Sequence, residues 1–210
     1  KQESSKDKRS EGRLLYQIQD EVRMADSIAR ENDRLRAMLE LTNAHEDYKL
    51  ADGYIISWSS NDWTSTFTIN RGSNVGIQEG MCAITANGEL VGLVSEVGRN
   101  YAVIKTVLDS SLEISATIAA SGYNGMVQGG YSTGLEGLLR MDYLPSSAVI
   151  RNNDQVVTTG STVYPRNLIL GYVVDAGFDD TGVAKYALLE PATDIGSLEQ
   201  VFIITEYNVG

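Results

Sequence analysis

The sequence holds one cysteine and one histidine among its 210 residues, and both scarcities exclude chemistry. Cys82, alone, forms no internal disulfide and cannot by itself hold zinc. It lies in Met81-Cys82-Ala83-Ile84, which reads as a buried strand, so a core thiol is expected. His45 lies among Asn43, Glu46 and Asp47 and reads as a solvated surface residue with no second ligand for a metal. Nucleophilic serine or cysteine chemistry needs a base, usually histidine. None occurs after residue 45, so a Ser-His-Asp triad is excluded from the rest of the chain. No apolar run reaches the ~18 residues of a membrane-crossing helix. Basic side chains are scarce after residue 50. Residues 51–210 carry 7 basic and 17 acidic groups, against 10 and 11 in residues 1–50, within a net charge of −11. A body this acidic repels phosphates, which argues against nucleic acid as a partner.

What is present divides in two. Residues 1–10 (KQESSKDKRS) are polar and predict a flexible start. Residues 11–50 predict one amphipathic helix with a coiled-coil seam. With Leu14 at a d position, the d column is Leu14, Glu21, Ile28 and Leu35, and the a column is Ile18, Ala25, Asn32 and Leu39. Six of these eight are apolar, while Arg23, Asp26, Arg30, Glu31, Asp33, Arg34 and Arg36 crowd the outside. Such a polar helix has little core to join, so its stripe is expected to meet another helix. The expected dimer interface is Leu14, Ile18, Ala25, Ile28, Asn32, Leu35 and Leu39. Asn32 at an a position would favour a parallel, two-stranded register. A solvated Asn32, or a helix packed within its own chain, is the alternative.

Past Leu50 the pattern becomes β. Apolar content of 42% over the chain is enough for a buried core. Tyr54–Trp58 reads as a strand, Ser59-Ser60-Asn61-Asp62 as a turn, and Trp63–Ile69 alternates with Trp63, Ser65, Phe67 and Ile69 on one face. Asn87-Gly88 is a hairpin signal between Met81–Thr85 and Leu90–Val97. Further strands are expected at 101–108, 112–119, 137–141, 155–159, 168–175, 184–189 and 201–205. Short strands with frequent turns and no intervening helices point to small barrels rather than a parallel α/β sheet. The expected fold is mainly β, one long N-terminal helix followed by two small β-barrels. The barrels are placed at 51–120 and 121–207, with the last strands free to return to the first. Glycine-rich 121–137 reads as a junction or a hairpin with a mobile tip.

The remaining candidates for chemistry have plainer readings. Asp179-Asp180, in Gly177-Phe178-Asp179-Asp180-Thr181-Gly182, could pair carboxylates for acid–base work, but flanking glycines make it a turn. Val156-Val157-Thr158-Thr159-Gly160-Ser161 is a strand entering a turn, with Pro165 fixing the loop. No phosphate-binding or dinucleotide fingerprint is present. No catalytic residue, cofactor or metal site is expected. Partner contact is expected at sheet edges and at loops, chiefly 121–137 and 142–154.

Several motifs, taken in order, resemble the bacterial cell shape-determining MreC family. They are Glu31–Leu39 at the helix exit and Asn70-Arg71-Gly72-Ser73-Asn74-Val75-Gly76-Ile77-Gln78-Glu79-Gly80-Met81. Next are Asn87-Gly88-Glu89-Leu90-Val91-Gly92-Leu93-Val94-Ser95-Glu96-Val97 and Val156-Val157-Thr158-Thr159-Gly160 with Pro165. The last are Leu170-Gly171-Tyr172-Val173 and Glu190-Pro191-Ala192-Thr193-Asp194-Ile195-Gly196-Ser197-Leu198-Glu199-Gln200-Val201. Departures at Glu89, Thr159, Thr193 and Ile169-Leu170 remove no strand signal.

The resemblance implies a short cytoplasmic start, one transmembrane helix, a coiled coil and paired barrels outside the cytoplasmic membrane. The sequence begins with Lys1, so the implied anchor is expected upstream. It also implies a non-enzymatic scaffold for cell-wall elongation and rod shape. Its implied partners are class B penicillin-binding proteins, MreD and the MreB system, with homodimerisation through the helix. Two other readings remain: an envelope adaptor of a transport or secretion assembly, and a hydrolase on a double barrel, which the missing histidine opposes.

Overall fold

The computed structural model describes residues 3–59, 66–131 and 137–209, with side chains left out at 3–10 and at Tyr131. It separates into two compact units, Lys1–Ala44 and His45–Gly210, each described here by itself.

The first unit is one helix, α1 (Glu3–Ala44), of 42 residues. It starts inside the segment expected to be flexible, because Glu, Lys and Arg propagate a helix well and neither glycine nor proline precedes Gly12. It stops six residues before the expected end. The Tyr48 N–H bonds to the His45 carbonyl at 3.0 Å, and the two rings stack at 4.3 Å, closing a turn before the next strand. Along α1, Arg23 pairs with Asp20 at 2.9 Å and Arg36 with Asp33 at 3.9 Å. Such exposed pairs contribute a few tenths of a kcal/mol each.

The second unit is two closed six-stranded barrels. The strands are β1 (Lys49–Trp58), β2 (Thr66–Ile69), β3 (Cys82–Ile84), β4 (Leu90–Val97), β5 (Ala102–Thr106) and β6 (Glu113–Ile118). They continue with β7 (Asn124–Tyr131), β8 (Leu138–Pro145), β9 (Gln155–Thr158), β10 (Ile169–Phe178), β11 (Ala184–Pro191) and β12 (Gln200–Glu206). The first ring runs β1-β12-β3-β4-β5-β2, and the second runs β10-β11-β8-β7-β6-β9. The boundary expected at 120 therefore lies before Glu113, since β6 pairs with β7 and β9 of the second barrel. Glycine-rich 121–137 holds a strand, β7, rather than a plain junction. Its glycines serve close packing: a Cβ on Gly125 would sit 2.4 Å from the Asp142 carbonyl oxygen, and one on Gly129 2.4 Å from that of Val107. The expected turn at Ser60–Asp62 and strand start at Trp63–Ser65 lie outside the described residues. Of that strand, Phe67 and Ile69 are buried.

The two rings follow one plan. In the first, Gly92 of β4 pairs with Thr106 and Val97 with Ala102, with a bulge between Val94 and Glu96. In the second, Gly171 of β10 pairs with Pro191 and Ala176 with Ala187, with a bulge between Val173 and Asp175. Ile55 opposite Ile69 corresponds to Val127 opposite Met141, and Phe202 opposite Ile84 to Thr117 opposite Val157. So β1–β5 match β7–β11, and β12 fills the slot in the first ring that β6 fills in the second. Each five-strand run is followed by a sixth strand that closes the other ring. The first core centres on Phe67, Ile69, Val91, Ile104, Val201 and Ile203. The second buries Ile114, Ile118, Leu139, Met141, Leu170 and Leu189.

Candidate interaction surfaces

Among the described residues, no group of His, Cys, Asp and Glu could hold a metal, and no helix is long and apolar enough to cross a membrane. The polar candidates resolve into structural roles. The Thr158 hydroxyl donates to the Pro165 carbonyl at 2.7 Å, and the Thr159 hydroxyl donates to Ser115 Oγ at 2.9 Å. Ser161 Oγ accepts the Val163 and Tyr164 N–H groups at 3.0 and 3.3 Å, which makes it a turn-former. Asp179 Oδ1 accepts the Thr181 hydroxyl at 2.8 Å and the Val183 N–H at 3.2 Å. The Thr181 bond, then backbone N–H groups, holds the Asp179 carboxyl below its usual range. Cys82 is fully buried, and burial pushes its thiol up to about 12, so it is protonated and unreactive at neutral pH. His45 is half-buried against Tyr48 rather than solvated, since the stacked ring shields it.

The apolar side chains left in solvent are the more informative feature. On α1, Leu14, Ile18, Ile28, Leu35 and Leu39 are 47% to 61% exposed, and Ala25 and Asn32 are exposed with them. Seven residues expected at an interface thus sit on one helix with their side chains in water.

A second exposed surface lies at one end of the second barrel; its Tyr143 falls in the stretch 142–154 expected to contact partners, whereas its Phe178 and Val183 were not expected there. Hairpin β4–β5 turns back at Gly98–Tyr101, where the Gly98 N–H bonds to the Tyr101 carbonyl at 2.8 Å. Its counterpart β10–β11 runs on through Gly177 opposite Tyr186 and Phe178 opposite Lys185. β8 follows it, with Leu144 opposite Lys185 and Pro145 opposite Ala184. The result is a three-stranded ledge beyond the ring. Phe178, Val183 and Tyr143 on it are 56%, 74% and 76% exposed. Lys185 caps Phe178 at 5.2 Å from the ring centre and donates to the Ala148 carbonyl at 2.8 Å. Arg140 lies 4.2 Å over the Tyr186 ring and bonds to Asp142 at 2.8 Å. Tyr143 has φ +65° at a β8 bulge, where three steps from Met141 to Leu144 face two on β11. An aromatic residue held in left-handed backbone with its ring in solvent is a costly arrangement, of the kind that marks contact sites. The signal in the sequence was the pair Phe178 and Val183 around the Asp179–Gly182 turn, which reads only as a hairpin until its length is known. Both rings are closed, so within the rings the described strands of neither barrel form the free sheet edge that was expected among the contact sites.

Comparison with known proteins agrees with this architecture. The family model described as rod shape-determining protein MreC, barrel core, matches residues 55–205. The cell shape-determining protein MreC of Listeria monocytogenes is 26% identical over 193 residues, covering 90% of this chain. The chain spans 64% of that relative's length. A solved Listeria MreC structure superposes with a TM-score of 0.70 at 25% identity, covering 95% of this chain and 96% of that one. A chain of the complex between a penicillin-binding protein and MreC from Helicobacter pylori gives a TM-score of 0.58 at 18% identity, with 75% and 99% covered. With the barrel core matched over well more than half of its length, the chain belongs to the MreC family of rod shape-determining proteins.

Proposed function

We propose that this chain is a non-enzymatic scaffold in bacterial cell-wall elongation. It dimerises through Leu14, Ile18, Ala25, Ile28, Asn32, Leu35 and Leu39 on α1 and presents its second barrel to peptidoglycan-synthesis proteins. The observation that carries the reading is the ledge of Phe178, Val183 and Tyr143, large apolar groups kept in solvent on a closed barrel of this family. A class B penicillin-binding protein is the partner, in keeping with the Helicobacter pylori complex. The chain works outside the cytoplasmic membrane, held by an upstream transmembrane helix, and connects through the membrane to MreD and the MreB system. Pull-down from solubilised bacterial membranes, with the whole chain and with a version lacking residues 1–44 as baits, tests it. Penicillin-binding proteins on both baits support contact through the barrels. Recovery of transport components instead would replace the scaffold with an envelope adaptor.

A further inference from the structure

Beyond the second ring, the two flanks of the ledge differ. β10 pairs with β9 only from Ile169 to Tyr172, but with β11 as far as Phe178. Val173 still exchanges bonds with the Asn153 and Asp154 backbone, at 2.7 and 3.0 Å. From Val174 to Phe178, β10 has β11 on one side and no described strand on the other. The ladder fixes which groups point outward there. The Asp179 N–H bonds to the Ala184 carbonyl at 2.9 Å, so Asp179 and, two residues back, Gly177 face β11. Ala176 and Phe178 alternate with them and turn their N–H and C=O groups away from β11. The Ala176 N–H is held by Asp175 Oδ1 at 2.9 Å. Among the described residues, the Ala176 carbonyl and the Phe178 N–H and carbonyl have no such partner.

Comparable flanks are covered. On the far side of the ledge, Pro145 lacks an N–H and its carbonyl accepts the Ala148 N–H at 2.9 Å, just past the bulge at Tyr143. In the first barrel, the Ser73 and Asn74 N–H groups bond to the Gly98 and Arg99 carbonyls of the matching hairpin at 3.0 and 3.1 Å. The β10 flank instead keeps backbone groups in water beside an exposed Phe178.

We propose that this flank receives an extended segment of the penicillin-binding protein, which joins the ledge as a fourth strand. The inference rests on the scaffold reading above and names how its ledge binds. Successive outward acceptors and donors are satisfied together by another strand, with Phe178 supplying an apolar contact beside them. Charge selects the composition of that strand. Asp175 and Asp180 are exposed along the flank, and residues 51–210 carry 17 acidic against 7 basic groups. The incoming segment is therefore basic and free of carboxylates. A second copy of this chain is disfavoured. Two antiparallel β10 flanks pairing Ala176 with Phe178 would set Asp175 of each opposite Asp179 of the other, and like charges directly opposite destabilise a sheet.

Binding of a purified class B penicillin-binding protein to the full chain tests this with Ala176→Pro, Ala176→Val and amide hydrogen exchange. Proline places its Cδ where the Ala176 N–H points, into the incoming strand, and takes nothing from the β10–β11 ladder. Valine keeps the N–H and the extended backbone. Ala176→Pro is expected to weaken binding about tenfold or more, the cost of losing about two backbone hydrogen bonds, and Ala176→Val to bind as the unaltered chain does. The Phe178 amide of the unaltered chain is expected to exchange many-fold more slowly in the complex. Unchanged affinity of a folded Ala176→Pro chain, equal loss with both substitutions, or an unprotected Phe178 amide would overturn the strand pairing and leave the scaffold reading standing. If a urea titration shows Ala176→Pro to be unfolded, the Phe178 amide decides alone. No binding to the unaltered chain would overturn both readings.

Discussion

The Tyr207 hydroxyl donates a 2.7 Å hydrogen bond to the Ser161 carbonyl, joining the residue just past β12 in the first barrel to the β9–β10 connection of the second. The Ile169 N–H makes a further link, 3.0 Å to the Gly88 carbonyl. These bonds sit beside the exchanged strands, so the barrels share both backbone and side-chain ties. Tyr207→Phe removes one such bond and is expected to lower stability by about 1 kcal/mol, leaving the spectrum of the folded state unchanged. A urea titration monitored by tryptophan fluorescence checks it.

Strand exchange makes the first barrel depend on the end of the chain. Removing residues 200–210 takes Val201, Phe202, Ile203 and Ile204 out of the core and leaves β1 and β3 without their shared neighbour. The second ring keeps all six of its strands, β6 to β11, which are contiguous in sequence. Hydrogen exchange is expected to show lost protection in β1–β5 and retained protection in β7–β11. Equal loss in both rings would contradict this division.

Two matched glycines give a paired prediction. A Cβ on Gly92 would lie 2.1 Å from the Lys105 carbonyl oxygen, and one on Gly171 2.2 Å from that of Glu190. Both face backbone, which cannot step aside. Gly92→Ala and Gly171→Ala are each expected to cost at least about 1–3 kcal/mol, as overpacking does. Gly76→Ala meets open space, and its penalty is the left-handed φ of +86° alone, about 1–2 kcal/mol. Denaturant midpoints of the three variants rank these effects.

Stability is expected to fall on the alkaline side. Burial raises the Cys82 thiol from 9.0 to about 12, and burial, with Asp47 beside it, raises the Tyr48 phenol from 10.0 to about 12. In both groups the folded state prefers the proton more than the unfolded state does. Their contribution is therefore whole below about pH 9 and is lost as pH rises towards 12. Thermal melts from pH 7 to 11 follow the decline, and thiol labelling of Cys82 should proceed only as the barrel opens.

Much of the fold is legible in the residues because barrel strands write themselves as alternation between turns. Asn87-Gly88 and the run Leu90–Val97 mark their hairpin without help from tertiary structure. What stays hidden depends on long-range pairing. β7 carries Gly125 and Gly129 for packing against other strands, and locally such glycines look like turns. The place of β6 in the second ring follows from its partners, Met126 and Val157 among them, and not from its own sequence. The ledge is hidden for the same reason. Phe178 and Val183 read as ordinary hairpin residues until the extra pairing to Leu144 and Pro145 lifts them beyond the barrel.

The most direct measurement is a binding titration of a purified class B penicillin-binding protein from the same bacterium against the whole chain, its Phe178→Asp variant and its Leu35→Asp variant. The scaffold account predicts saturable binding to the unaltered chain. It predicts that Phe178→Asp weakens binding by about tenfold or more, the loss expected of a central apolar anchor. Leu35→Asp should break self-association but leave the affinity per chain unchanged. No binding to the unaltered chain, or affinity lost with Leu35→Asp and kept with Phe178→Asp, would contradict the account.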